Sequence, residues 1–263
     1  MTERSLVAFT LLAQTAVGAF VTLGALDLWA GGLTGQPPAH ALTDGVLLAI
    51  GPVMGAALLV SLLHLGTPGA AWRALANLRS SWLSREILFA LLFTGTGASF
   101  AVLRATATGP AELRGALAAV AALCGVALVY AMSRVYRVRT LPALDTPLTT
   151  VSFFATALLL GTLAVGTGLV LLPGVPEAVA VGPLHGLALA AAAGFGAELA
   201  VPGRGVLHGA RRLLLLAGLA LCVAFLLAAG RATALLVAAS ALALAAQVVG
   251  RYLFYLTGLR RSL

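Results

Sequence analysis

The hydrophobic positions of this chain form long, nearly continuous runs separated by short polar connections. An α-helix needs about 20 apolar residues to cross about 30 Å of hydrocarbon, and the runs are long enough for this. They are rich in Leu and Ala and lack the alternation of period two that a membrane β-strand requires. The pattern therefore predicts eight transmembrane helices, over residues 5–29, 44–66, 84–105, 113–137, 149–172, 178–200, 211–229 and 231–258.

Composition supports an all-α membrane protein. Of the 263 residues, 61% are hydrophobic and 9% are charged, whereas soluble domains have about 45–50% apolar and about 25% charged residues. Because eight helices take up most of the chain, we expect no soluble catalytic domain in it. The first apolar run, residues 6–26, is too long for the hydrophobic part of a cleavable signal peptide, so we interpret it as the first helix.

The arginines are distributed unevenly between the two membrane faces. All 16 basic residues are arginines, and alternating helix directions place 13 of them on the face that holds both termini. The positive-inside rule then predicts that this face and both termini are cytoplasmic. A second interpretation stays open, in which the arginine-rich face docks an acidic partner protein. The opposite face holds Arg104, Arg114 and Arg231, and the arginine-rich face holds Arg4, Arg73, Arg79, Arg85, Arg134, Arg137, Arg139, Arg204, Arg211, Arg212, Arg251, Arg260 and Arg261.

A faint internal repeat relates the two halves of the chain. Residues 50–55 (IGPVMG) in the second predicted helix resemble residues 181–186 (VGPLHG) in the sixth. Four helices in each half would make the repeat parallel rather than inverted. We therefore predict two four-helix bundles, with residues 1–140 holding a quinol site and residues 141–263 forming a structural bundle.

Small residues inside the predicted helices have packing roles in our interpretation. Glycines allow neighbouring helix backbones to approach closely. Cys124 and Cys222 lie far apart in two helices and serve as small apolar residues. Iron–sulfur clusters need several thiolates close together, so we expect none in this chain. The glycines with an expected packing role are Gly18, Gly24, Gly95, Gly97, Gly161, Gly166 and Gly168.

Two ionisable residues interrupt the apolar pattern at one membrane face. His64 ends the second predicted helix, and Glu86 begins the third. Each has a simpler explanation, because a histidine can cap a helix end and a glutamate in a first turn favours the helix dipole. Ionisable groups at membrane depth are nevertheless costly and usually functional. Since oxidation of a quinol releases two protons, we predict that His64 and Glu86 are its catalytic bases.

Several further polar residues reach the same face and complete the predicted quinol-binding set. We expect them to bind the quinol oxygens or to hold Glu86 ionised. Tyr136 and Arg134 are equally well explained as interfacial anchors. For Gln14, midway in the first helix, the alternative is a hydrogen bond between helices. Residues 67–83, with Trp72 and Trp82, predict a short interfacial helix beside the site. The full set is His64, Glu86, Arg85, Ser133, Arg134, Tyr136 and Gln14.

The remaining ionisable residues receive no catalytic role in the sequence analysis. His185 and His64 lie at opposite ends of their helices, so we expect no haem with two histidine ligands. His185 is interpreted as a hydrogen-bonded packing residue, and His40 and His208 as loop residues. Glu198 and the other acids fall at helix ends or in loops, and we assign them no chemistry.

Five ordered segments carry a resemblance to a known family. They are residues 11–20 (LLAQTAVGAF), 64–68 (HLGTP), 83–87 (LSREI), 133–136 (SRVY) and 150–154 (TVSFF). This set resembles the membrane anchor subunits of dimethyl sulfoxide reductase-type complexes, which work in anaerobic respiratory electron transport. The resemblance implies an eight-helix anchor in a prokaryotic cell membrane that oxidises menaquinol and carries no haem. It places the menaquinol-linked histidine and glutamate of the family at His64 and Glu86.

The resemblance also implies two partner subunits. One is a four-cluster ferredoxin-like iron–sulfur protein, and the other is a catalytic subunit with a molybdenum bis-pterin cofactor. Two other functions stay open from the sequence alone, a secondary transporter and a purely structural anchor. Transporters place polar groups near the bilayer midplane, whereas the ionisable residues singled out here lie at one face.

Overall fold

The computed structural model of the chain consists of helices throughout the part that it describes. It describes residues 2–30, 37–62, 73, 75–140, 142, 144–171, 177–202, 206–228 and 232–259. Within these residues there are eight α-helices and no strands, which confirms the predicted all-α class. By their described residues, seven of the helices are long and apolar enough to cross a membrane, namely α1 to α5, α7 and α8. The helices are α1 (Thr2–Ala30), α2 (Pro37–Leu62), α3 (Trp82–Ala105), α4 (Ala111–Tyr136), α5 (Pro147–Leu171), α6 (Glu177–Leu199), α7 (Val206–Leu227) and α8 (Thr233–Leu259).

Two helices begin at least five residues earlier than the hydrophobic pattern predicts. Helix α2 begins at Pro37 rather than at residue 44, and α7 begins at Val206 rather than at residue 211. The backbone of His40 and all of His208 are therefore helical, and the loop interpretation of both residues was wrong. Proline is favourable in the first turn of a helix, where its missing N–H has no partner. Backbone hydrogen bonds also continue beyond the apolar stretch, because they do not depend on side-chain polarity.

Helices α1 and α5 form the centre of the molecule and cross at two glycines. A methyl group on Gly161 would overlap the backbone of Gly18, and a methyl group on Gly18 would overlap the carbonyl of Ala157. This close approach confirms the packing role predicted for both glycines, since only glycine lets the two backbones come so near. For Gly24 and Gly95 the described residues contradict the prediction, because no atom of theirs on a neighbouring element lies within 4 Å of a Cβ built at either glycine.

The helix pairs that pack together follow the same order in the two halves. Proline lies inside α2 at Pro52 and inside α6 at Pro183. A parallel repeat would produce this correspondence, although the division into bundles of residues 1–140 and 141–263 stays a prediction. The pairs are α1–α2, α2–α3, α3–α4 and α1–α4 in the first half and α5–α6, α6–α7, α7–α8 and α5–α8 in the second, with α1–α5, α4–α5, α2–α5 and α1–α8 between them.

Three charged residues tie α1, α2 and α3 together at one end of the bundle. Arg104 donates hydrogen bonds to Asp44, at 2.6 Å, and to Asp27. We call these three residues the acidic triad. It lies at the end of α3 opposite Glu86, so charged groups mark both ends of that helix.

Candidate functional site

Glu86 is held inside the protein by the start of α3. Ser81 caps the helix, and its hydroxyl accepts a hydrogen bond from the backbone N–H of Ser84 at 3.2 Å. Ser84 and Glu86 then face inward. Leu83, the second residue of α3, faces outward and is 51% exposed. Glu86 itself is 6% exposed. The predicted proton acceptor is therefore a buried carboxyl group near one end of the bundle.

Two tyrosines meet at the end of the bundle where Glu86 lies. The hydroxyls of Tyr136 on α4 and Tyr255 on α8 are 2.9 Å apart and share a hydrogen bond. Tyr136 also packs edge-on against Phe254, with ring centroids 5.2 Å apart. The structure thus adds Tyr255 to the surroundings of Tyr136, a residue that the sequence analysis missed because it lies 119 residues further along the chain. The role of Tyr136 in the site stays a prediction.

The two arginines of the predicted site flank Trp82. The guanidinium carbon of Arg85 lies 4.3 Å from the Trp82 ring centroid, and that of Arg134 lies 5.1 Å from it. Arg85 also donates to the backbone carbonyls of Leu78 and Arg79, so it holds the turn that precedes α3. The Nε of Arg134 is buried, and it has no hydrogen-bond partner among the described residues. Arg134 therefore keeps a donor for a ligand, whereas Arg85 is engaged by the backbone.

Ser133 and Gln14 take part in contacts between helices. Ser133 shares a hydrogen bond with Thr150 on α5, with the two hydroxyl oxygens 3.1 Å apart. Gln14 is fully buried, and its amide donates to the carbonyl of Phe153 at 3.2 Å and accepts from Arg251 at 2.9 Å. These contacts favour the alternative explanation for Gln14, a hydrogen bond between helices. His64 and Trp72 lie outside the described residues, so their place beside Glu86 stays a prediction.

A second group of polar side chains is buried between α1, α5, α6, α7 and α8. Its centre is Glu198, which is fully buried and accepts hydrogen bonds from Arg211 and, at 2.7 Å, from the hydroxyl of Thr156. The same hydroxyl lies 3.2 Å from the amide oxygen of Gln247 and 3.4 Å from a guanidinium nitrogen of Arg251. Together with Gln14, we call these residues the buried network.

The buried network corrects the sequence analysis of Glu198. This residue is near a helix end, as predicted, but it lies inside the protein and forms an ion pair with Arg211. One local signal pointed to part of the network, because Gln247 and Arg251 are four residues apart and so share a face of α8. No comparable signal connects Gln14 to Arg251, which is 237 residues away.

Comparison with known proteins places the chain in a family. A family model described as DMSO reductase anchor subunit (DmsC) matches residues 1–193. The chain belongs to the DMSO reductase anchor subunit family. This membership agrees with the resemblance carried by the sequence segments in the first half. Glu86 and Tyr136 lie within the matched residues, whereas most of the buried network lies beyond them.

Individual relatives agree with the family match. The chain is 30% identical over 159 residues to the C subunit of the anaerobic dimethyl sulfoxide reductase of Haemophilus influenzae, an alignment that covers 60% of this chain and 56% of that protein. It is also 30% identical over 162 residues to the C subunit of the same name from Escherichia coli, with coverages of 61% and 55%. The chain thus spans about half the length of the curated relatives it matches.

Proposed function

We propose that this chain is the membrane anchor of a respiratory molybdoenzyme complex and that it oxidises menaquinol at a site containing Glu86. Family membership supports the anchor role. The observation that carries the quinol site is the burial of Glu86 near the end of the bundle at which the hydroxyls of Tyr136 and Tyr255 share a hydrogen bond. A buried carboxylate in this position is a base that water does not reach freely, as a proton acceptor for a lipid-soluble reductant should be.

The chemistry assigns one task to each side chain. Menaquinol loses two electrons and two protons when it becomes menaquinone. In this proposal Glu86 accepts one proton and His64 the other, while the electrons leave one at a time for the partner subunit. The Nε of Arg134, which has no partner in the part of the chain that the structure describes, donates a hydrogen bond to a quinol oxygen, and Trp82 beside it provides an aromatic wall for the quinol ring.

The proposed complex has two further subunits. A four-cluster ferredoxin-like iron–sulfur subunit receives the electrons, and a subunit with molybdenum bis-pterin uses them to reduce the terminal acceptor. This arrangement follows the family, whose anchors contain no metal centre of their own. We also propose a location in a prokaryotic cell membrane, with the arginine-rich face and both termini on the cytoplasmic side.

The decisive experiment is the Glu86→Gln substitution in the purified complex. The variant keeps the size of the side chain but removes its ability to accept a proton, so we expect quinol oxidation to slow by about 100-fold or more. The rate is measured anaerobically, from the reduction of the iron–sulfur clusters by a menaquinol analogue followed by electron paramagnetic resonance.

Two controls make this result specific. Reduction of the clusters by dithionite reports on the partner subunit alone and should stay normal. Glu112→Gln removes an exposed glutamate from the first turn of α4 and should leave the quinol reaction unchanged. An unaltered rate in Glu86→Gln, with the complex intact, would show that Glu86 is only a packing residue.

A further inference from the structure

A cavity of about 340 Å³ lies between the beginnings of α5 and α7 and the end of α8. Three residues of the buried network, Arg211, Gln247 and Arg251, contribute to its polar lining. Leu148 and Phe254 contribute apolar surface, and the other polar lining residues are Thr146, Thr149, Ser152 and His208. The three network residues lie outside the part of the chain that the family model matches, and the quinol site proposed above does not use them.

Three residues that line the cavity carry a buried hydrogen-bond donor without an acceptor among the described residues. The Nε of Arg211, the amide nitrogen of Gln247 and the Nε of Arg251 are all buried, and none has a hydrogen-bond partner among the described residues. The three residues are 7%, 2% and 4% exposed. Buried polar atoms are nearly always hydrogen-bonded in proteins. Three unmatched donors around one cavity therefore call for a ligand that supplies acceptor oxygens.

The charges of the network are also unbalanced. Glu198 is the carboxylate that pairs with Arg211. Arg251 reaches only neutral acceptors among the described residues, Gln14 and Thr156, and its guanidinium carbon stacks 3.7 Å from the centre of the Phe153 ring. A buried cation without a matching anion is unfavourable. A neutral ligand such as a quinone would satisfy the donors but would leave this charge uncompensated, so the cavity favours an anion.

The surroundings of the cavity favour an anion that carries apolar chains. Helices α5 and α7 begin beside it, and their positive dipole ends also favour negative charge. Leu148 lines the cavity and is 44% exposed, and Val206 and Leu207, which directly precede the lining residue His208, are 90% and 48% exposed. Exposed apolar side chains of this kind are suited to contact with acyl chains. Basic pockets between transmembrane helices are known sites for lipid phosphates.

We propose that this cavity binds the phosphate group of an anionic phospholipid. The phosphate oxygens accept hydrogen bonds from Arg211, Gln247 and Arg251, and the negative charge balances the second arginine. This lipid would hold α5, α7 and α8 together at the end of the bundle where Glu86 lies. The proposal does not depend on the quinol site, because its evidence and its measurement are separate.

The test measures lipid binding by the full chain, purified in a neutral detergent together with the proteins that accompany it. Native mass spectrometry follows titrations with phosphatidylglycerol, with phosphatidylcholine and with inorganic phosphate. We expect phosphatidylglycerol to bind in preference to phosphatidylcholine, and Arg211→Gln to weaken its binding about tenfold through loss of a charge-assisted hydrogen bond. Arg212→Gln is the matched control, because it removes the same charge from an exposed position in the same turn of α7.

A second variant keeps the test valid if Arg211→Gln fails to fold. Gln247→Glu is nearly the same size, and its carboxylate would balance the charge of Arg251 while it repels a phosphate. We expect this variant to unfold no more readily than the unmodified chain and yet to lose phosphatidylglycerol binding. If the network only stabilised the fold, loss of phosphatidylglycerol binding would be accompanied by a loss of stability.

Three results would overturn the proposal. Equal phosphatidylglycerol binding by the unmodified chain, Arg211→Gln and Gln247→Glu would place the lipid elsewhere. Inorganic phosphate that binds as tightly as the lipid would assign the cavity to a free anion. A menaquinone analogue that binds here and is lost in the same variants, without any preference for phosphatidylglycerol, would assign it to a quinone.

Discussion

The acidic triad and the buried network both combine arginine with carboxylates, but their charges are unbalanced in opposite directions. In the acidic triad, two aspartates share Arg104, and the three side chains are 15–21% exposed. In the buried network, Glu198 pairs with Arg211 while Arg251 contacts only neutral acceptors among the described residues, and the side chains of Arg211 and Glu198 are 8% and 0% exposed. One cluster thus has an excess of acceptors near the surface, and the other has an excess of donors in the interior.

This difference shows that exposure decides how much charge imbalance a cluster tolerates. Water can hydrate the second aspartate of the acidic triad, so its excess negative charge costs little. The second arginine of the buried network has no such access, and its charge has to be balanced by another group. Helix α1 contributes to both clusters, with Asp27 to one and Gln14 to the other, so its position affects them together.

The strongest test of the comparison removes the carboxylate of the buried network. Glu198→Gln leaves Arg211 as a buried cation without its anionic partner, and we expect a loss of about 3–5 kcal/mol in the free energy of unfolding. Denaturant unfolding of the detergent-solubilised chain, followed by circular dichroism, measures this change. Glu112→Gln, at an exposed position, is the control. If Glu198→Gln did not shift the unfolding curve, the ion pair would not stabilise the fold.

A second test moves α1 relative to α5. The Cβ of Gly161→Ala would overlap the backbone of Gly18, so the helices have to separate, and we expect a loss of about 1–3 kcal/mol in unfolding free energy. Gly95→Ala is the matched control, because its Cβ meets no atom within 4 Å; alanine there should be neutral or favourable by about 0.5–1 kcal/mol. Equal effects of the two substitutions would contradict the close crossing.

The smallest effect is expected at the acidic triad. Arg104→Gln removes the charge shared by Asp27 and Asp44, but these side chains are partly hydrated, so we expect a loss of about 1 kcal/mol. The loss should shrink in high salt, which screens the repulsion between the aspartates. The unfolding free energies of this variant and of Glu198→Gln are compared at low and high ionic strength. If Arg104→Gln lowered the free energy of unfolding as much as Glu198→Gln does, exposure would not determine how much charge imbalance a cluster tolerates.

The hydrophobic pattern predicted the helices well because the requirement behind it is local. A segment that crosses hydrocarbon has to satisfy its backbone hydrogen bonds internally and be apolar over about 20 residues. Errors occur where a helix extends past the apolar stretch, at the starts of α2 and α7. The burial of Glu86 was also predictable, because its position at the beginning of an apolar run places it at membrane depth.

The partners of the polar side chains were not predictable in the same way. The hydroxyls of Tyr136 and Tyr255 meet across 119 residues, and the side chains of Gln14 and Arg251 meet across 237. Such contacts depend on how each helix is rotated about its axis and on where α1 crosses α5. Hydropathy contains almost no information about either, since apolar residues surround most of these helices on all sides.

The sequence by itself determined the number of helices, the membrane character of the chain and the position of Glu86 at the end of one helix. Only the tertiary structure decided that Glu198 is an interior residue paired with Arg211, that Arg251 contacts Gln14 and Thr156, and that Tyr255 meets Tyr136. The physical reason is that each helix satisfies its own backbone, whereas a buried side chain has to find its partner on another helix.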